Sequence, residues 1–159
     1  MVGQFSGVVS SYIRAVSKVL TGQSVLYTLS KRTHLKKHEM KVKAMTPEQV
    51  VQTSVEYYNS RNFAAFIGLF SDDIKFYNFS GDQPIIDGIE RCRQFYKALF
   101  DASPNLHSTI LKRIAFDNKV IDHESIVGRH GTDEVLEIVV IYEVRNNAIF
   151  KATVIRAER

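Results

Sequence analysis

The densest group of side chains able to move protons is Asp122-His123-Glu124. Two carboxylates flanking a histidine suit a strand, where period-two geometry puts Asp122 and Glu124 on one face and His123 on the other. If the carboxylates face an interior, one of them is desolvated and shares a proton, a general acid/base pair. If His123 faces inward instead, it is a single base titrating near neutral pH. In the third reading the charges face solvent or bridge to neighbouring Lys and Arg. Val120 and Ile126 share the carboxylate face and Ile121 and Val127 share that of His123, so alternation leaves all three open.

Asn78 is a second candidate. Ile74 and Phe76 precede it in an alternating run and should share its inner face, and a buried Asn must be hydrogen-bonded. It either orients a ligand carbonyl or hydroxyl, or satisfies a backbone group. Tyr58 and Tyr96 offer hydroxyls to an interior, or tie them to backbone. Arg156 pairs with an acidic ligand or forms a surface salt bridge. His107, His123 and His130 invite a metal, but no HxH or HExxH spacing links them and no metal is expected. There is no Gly-rich phosphate cradle, no nucleophile elbow and no CxxC, so no cofactor is expected. Cys92, the single cysteine, excludes an internal disulfide and reads as a packed thiol.

The elements that would position these groups follow a clear order. Thr46-Pro47-Glu48-Gln49 opens a helix with a capping box and a proline at its first position. That helix runs to about Asn59, with Val50, Val51, Ser54, Val55 and Tyr58 on one face. Phe63, Phe66, Ile67 and Phe70 make the apolar face of a second helix, ended by Ser71-Asp72-Asp73. A strand over Ile74–Phe79 follows. Asp87 is expected to cap a third helix over Gly88–Asp101, with Ile89, Cys92, Phe95, Tyr96 and Leu99 as its stripe. Strands are expected at about 106–116, 119–129, 132–145 and 148–157, joined by short Asn- and Asp-rich turns into an antiparallel meander. In the third of these, Leu136, Ile138, Val140, Tyr142 and Val144 should look inward. The expected fold is α+β: a cone-shaped, curved antiparallel sheet packed against three N-terminal helices around a pocket.

At 159 residues and 45% apolar content the chain supports one domain with a core. Its net charge of +4 is unevenly spread. Residues 1–44 hold eight Lys or Arg against one acid, whereas the remainder holds 13 basic and 16 acidic residues. A mildly acidic body argues against nucleic acid as partner. No apolar stretch approaches the roughly 18 residues of a membrane span. Val8–Leu20 has helical spacing in an acid-poor, serine-rich context. Residues 1–44 therefore read as a dispensable tail or mis-called start, a mitochondrial transit peptide, or a structural helix. Location is expected to be cytoplasmic, or mitochondrial if that transit peptide is genuine.

Residues 45–159 resemble the SnoaL-like and ketosteroid isomerase-like branch of the nuclear transport factor two-like superfamily. The resemblance is carried by Val50-Val51-Gln52, the helix end at Asn59, LFSDD at Leu69–Asp73, Gly81, Pro84, DGIE at Asp87–Glu90 and Gln94-Phe95-Tyr96. It implies a cone with an interior pocket, often dimeric. It also places Ser54 where the isomerases carry an oxyanion tyrosine, Asn78 at the general-base aspartate, Val140 at the protonated acid and Phe70 at a supporting tyrosine; Tyr96 alone is kept. Asn does not take a proton from carbon and Val donates no hydrogen bond, so ketosteroid isomerase activity is not expected. The expected ligand is a compact, apolar metabolite, held by Ser54, Tyr58, Asn78, Phe95, Tyr96, Val140 and Tyr142. Any catalysis would be cofactor-free proton transfer, or addition or elimination of water, through Asp122, Glu124 or His123. The alternative is a non-enzymatic binding or dimerisation module. Its outer sheet face, with Val135, Val139 and Ile141, would meet a second copy.

Overall fold

The computed structural model describes residues 44–157. The helix expected over Val8–Leu20 lies outside them. Helix α1 (Pro47–Asn59) starts as its sequence dictates. Thr46 Oγ1 accepts from the Gln49 amide at 3.2 Å, and Gln49 Oε1 accepts from the Thr46 amide at 2.9 Å. Its buried residues are Val50, Val51, Ser54, Val55 and Tyr58, the face read from periodicity. Helix α2 (Phe63–Ile67) is shorter than expected, because Gly68 closes it. Phe70 is consequently the first residue of strand β1 (Phe70–Asn78), not part of a helical face, and Ser71-Asp72-Asp73 lies within that strand.

Strand β2 (Ile86–Asp87) pairs with β1 through Phe76–Ile86 and Lys75–Asp87. Asp87 therefore does not cap helix α3 (Ile89–Ala102). Its carboxylate is held by Lys75, and Gly88, at φ 86°, occupies the cap position without a side-chain bond. Strands β3 (His107–Phe116), β4 (Lys119–Val127), β5 (Leu136–Arg145) and β6 (Ala148–Arg156) form the antiparallel meander. The Asn146-Asn147 turn takes positive φ at both residues, as a tight hairpin between right-twisted strands requires.

The sheet order is β2-β1-β6-β5-β4-β3. One pairing departs from the antiparallel expectation: β1 lies parallel to β6. No hairpin joins these two strands, so nothing local imposes the antiparallel sense. Register breaks at Phe70/Lys75, Ile110/Lys112 and Glu143/Val144 mark bulges, which bend strands and curve the sheet. The concave side takes the helices and a core that includes Val50, Val51, Ile74, Val120 and Ile149. Among the described residues, no helix is long and apolar enough to cross a membrane.

Candidate functional site

A cavity of about 290 Å³ opens between the helices and the concave sheet face. Phe66, Phe70, Phe76 and Tyr96 form an aromatic wall, with Phe66 and Tyr96 edge-to-face at 4.7 Å between ring centres. Ile85, Phe95 (45% exposed) and Arg156 stand at the more solvent-exposed side. Deeper lie Ser54, Val55, Ser108, Glu124 and Val140. The expected ligand residues Ser54, Tyr58, Phe95, Tyr96, Val140 and Tyr142 all line it.

Strand β4 turns Asp122 and Glu124 inward and His123 outward. The two carboxylates are 0% and 4% exposed. His123 is on the convex face, against Glu137 of β5, so the reading of it as an inward-facing base is wrong. The outer neighbours Val139 and Ile141 belong to the same convex face by register. Asp122 also departs from expectation. Although buried, it does not line the cavity, and both its oxygens accept from Arg113, Nε and Nη2, at 2.6 Å. The same guanidinium reaches Gln52 Oε1 at 2.7 Å. The bidentate contact occupies both oxygens of Asp122, so the residue forms a structural ion pair with Arg113 outside the cavity.

Glu124 is the carboxylate that faces the cavity. Its Oε2 accepts from Ser108 Oγ and its Oε1 from Tyr142 Oη, each at 2.9 Å. Burial raises its pKa above the ordinary glutamate value, against the opposing pull of those two hydroxyls; the negative Asp122 raises it and Arg113 lowers it by smaller amounts. Tyr142 is pushed well up by burial and then by the adjacent Glu124, so it stays a protonated donor.

Ser108 was not singled out from sequence. It lies next to a strand end, and the group that fixes it is Asn59 at the end of α1. Asn59 Nδ2 donates to the Ser108 carbonyl at 2.8 Å, and Asn59 Oδ1 accepts from the Ser108 amide at 2.7 Å. The side-chain amide thus completes the edge of β3 as another strand would.

Asn78 needs a correction as well. It does not line the cavity; its Oδ1 accepts from Nη1 of Arg156, the arginine at the cavity's more exposed side. Ser54 donates to the Val51 carbonyl at 2.7 Å within its own helix, leaving its oxygen free only as an acceptor. Cys92 is fully buried and its thiol is pushed up to about 12 by burial, an inert packed group. Among the described residues, no three His, Cys, Asp or Glu are placed to hold a metal ion.

Comparison with known structures agrees with this architecture. A cystatin-fold protein from Novosphingobium aromaticivorans is similar at 20% identity and TM-score 0.65, covering 71% of this chain and 100% of that one. A protein with a ketosteroid isomerase-like fold from Catenulispora acidiphila, in complex with trimethylamine, is similar at 19% identity and TM-score 0.57, covering 69% and 85%. An LEH-like epoxide hydrolase from M. tuberculosis is similar at 13% identity and TM-score 0.58, covering 70% and 82%. At these identities the likeness is one of fold. No curated protein matches the chain in sequence. The family model of the SnoaL-like domain matches residues 51–152, and the chain, whose described residues form a curved sheet and three α-helices around a hollow centre, belongs to that family.

Proposed function

We propose that the domain binds a compact, largely apolar metabolite in its cavity and that Glu124 moves a proton on it without a cofactor. The reaction class is proton transfer next to a carbonyl, or addition or elimination of water. The observation that supports this most is a single buried carboxyl at the cavity wall, held by two hydroxyls and with its pKa raised toward neutrality. Raising the pKa of a buried carboxyl brings it closer to the operating pH and makes its anion a stronger base, which is what general acid/base chemistry requires. Tyr142 would steady whichever protonation state is present, and Tyr58 and Tyr96 would place the ligand. This fold hosts unrelated chemistries, so the assignment stands on the site and not on the family.

The test is exchange of carbon-bound hydrogen in D2O, followed by proton NMR over a panel of small ketones, enones and epoxides. The wild type is expected to exchange or convert at least one. Glu124→Gln should lose about 10²-fold or more, the usual contribution of a positioned acid/base group. Asp122→Asn should retain turnover in proportion to the folded protein present. Equal turnover in wild type and Glu124→Gln would remove Glu124 from the mechanism.

A second reading concerns assembly. The convex face carries Ile114, Phe116, Ile121, Val139 and Ile141, of which Ile114 and Phe116 are 52% and 77% exposed. Apolar side chains gathered on one face of a sheet favour association, and the proposed partner is a second copy of this chain.

A further inference from the structure

Two arginines, Arg129 and Arg156, line the cavity together with one carboxylate, Glu124. The buried Nε–H of Arg129 has no hydrogen-bond partner. No described carboxylate forms an ion pair with Arg129, although Glu124 lines the same cavity. An unpaired buried guanidinium N–H is costly, and such a group in a native cavity calls for an explanation. Near it, the Tyr58 and Tyr96 hydroxyls have no hydrogen bond to another described residue and remain protonated donors; burial raises both, and the positive charge of Arg129 only partly offsets this. Arg156 adds a second cation at the more exposed side.

Arg129 is held in place by backbone, not by chance. It follows Gly128 in a single 3-10 turn, Arg129–Gly131. Gly128 has φ 72°, and a Cβ there would fall 2.2 Å from the Asn105 carbonyl oxygen, so only glycine lets the turn seat against the loop after α3. The next residue, His130, donates its amide to Ser103 Oγ at 2.9 Å, and Ser103 is fully buried. Arg61 in turn donates to the Ser103 and Phe100 carbonyls. The turn is thus locked at both ends with the Arg129 side chain directed to the cavity, a preorganised arrangement suited to recognition.

We propose that Arg129 is the anchor for an anionic head group, and that the natural ligand is a compact apolar carboxylate. This rests on the ligand-binding reading above and names the substrate class of that same cavity. The guanidinium fork matches a carboxylate, the tyrosine hydroxyls donate to the same acceptor, and the aromatic wall takes the hydrocarbon part. Burial, which raises the Glu124 pKa, works against a negative charge there and so lessens repulsion of such a ligand.

The experiment compares two probes of the same shape, 4-phenylbutyrate and 4-phenylbutan-1-ol, by proton–nitrogen NMR titration of the full chain at pH 7.5. The wild type should bind the carboxylate about tenfold or more tightly than the alcohol, with shifts at cavity amides. Arg129→Met should remove that preference by lowering the carboxylate affinity far more than that of the alcohol. Arg129→Lys, which keeps the charge but not the fork, should keep part of it, and Glu124→Gln, which removes any negative charge beside the ligand, should not lessen it. Equal affinity of the two probes in the wild type overturns the anchor alone and needs no variant. So does a preference that survives in a folded Arg129→Met. If neither probe shifts the cavity amides, the ligand-binding reading fails, and the anchor with it.

Discussion

Burial pushes the Glu124 carboxyl toward its neutral form, while Tyr142 and Ser108 pull it back by donating to the charged form. Because the folded-state pKa lies above the unfolded value, the folded protein binds more protons than the unfolded chain between the two. The stabilising contribution is therefore complete below the unfolded pKa of about 4.3 and is lost as pH rises through the folded pKa. Urea unfolding across pH 4 to 8 should show such a decline in the wild type and a flatter profile in Glu124→Gln. A wild-type profile that rises over this range where the variant's is flat would show the opposite shift. The sequence narrowed the site to Asp122, His123 and Glu124 but did not separate the two acids, which share one face. What separates them is the residue across the strand pair. The bulge at Leu111 shifts β3 by one position and sets Arg113, rather than Lys112, opposite Asp122. No periodicity in the chain announces that shift.

At the scale of elements, α1 was legible because its capping chemistry and helical spacing are local. The expected α3 stripe held at Cys92 and Leu99, but Phe95 is exposed and Phe100, outside the stripe, is buried. The end of α2 was not legible. Phe70 continues the apolar pattern of FAAFIGLF, but Gly68 closes the helix and the chain enters β1 at once. The parallel β1–β6 pairing was hidden for a different reason: it joins segments nearly eighty residues apart, and local turns carry no information about it. Arg129 was missed because it sits in a turn, where a lone arginine reads as a solvated group. The signal available was the adjacent Gly128. Gly128→Ala places a Cβ against backbone at Asn105 and strains a positive φ, so it should destabilise the domain by about 1–3 kcal/mol. Thermal unfolding checks this, and a loss within ~0.5 kcal/mol would mean the turn adjusts freely.

For the whole molecule, the outer face of the sheet is where association would act. Ile141 pairs with Ile121 on β4 and Thr153 on β6, at the middle of the convex surface. A homodimer through this face would leave the cavity on the concave side accessible in each copy. Light scattering at micromolar concentration should give twice the chain mass, and Ile141→Glu should give the chain mass with the cavity intact. A wild-type monomer at that concentration argues against the pairing.

The proposed chemistry depends most on the protonation state of one cavity carboxyl. Carbon-13 NMR titration of the Glu124 side-chain carboxyl reads it directly. It should titrate above the ordinary glutamate range, and higher still in Tyr142→Phe, where the hydroxyl that favours the charged form is gone. A Glu124 titrating at or below the ordinary value, and unmoved by that substitution, would contradict it.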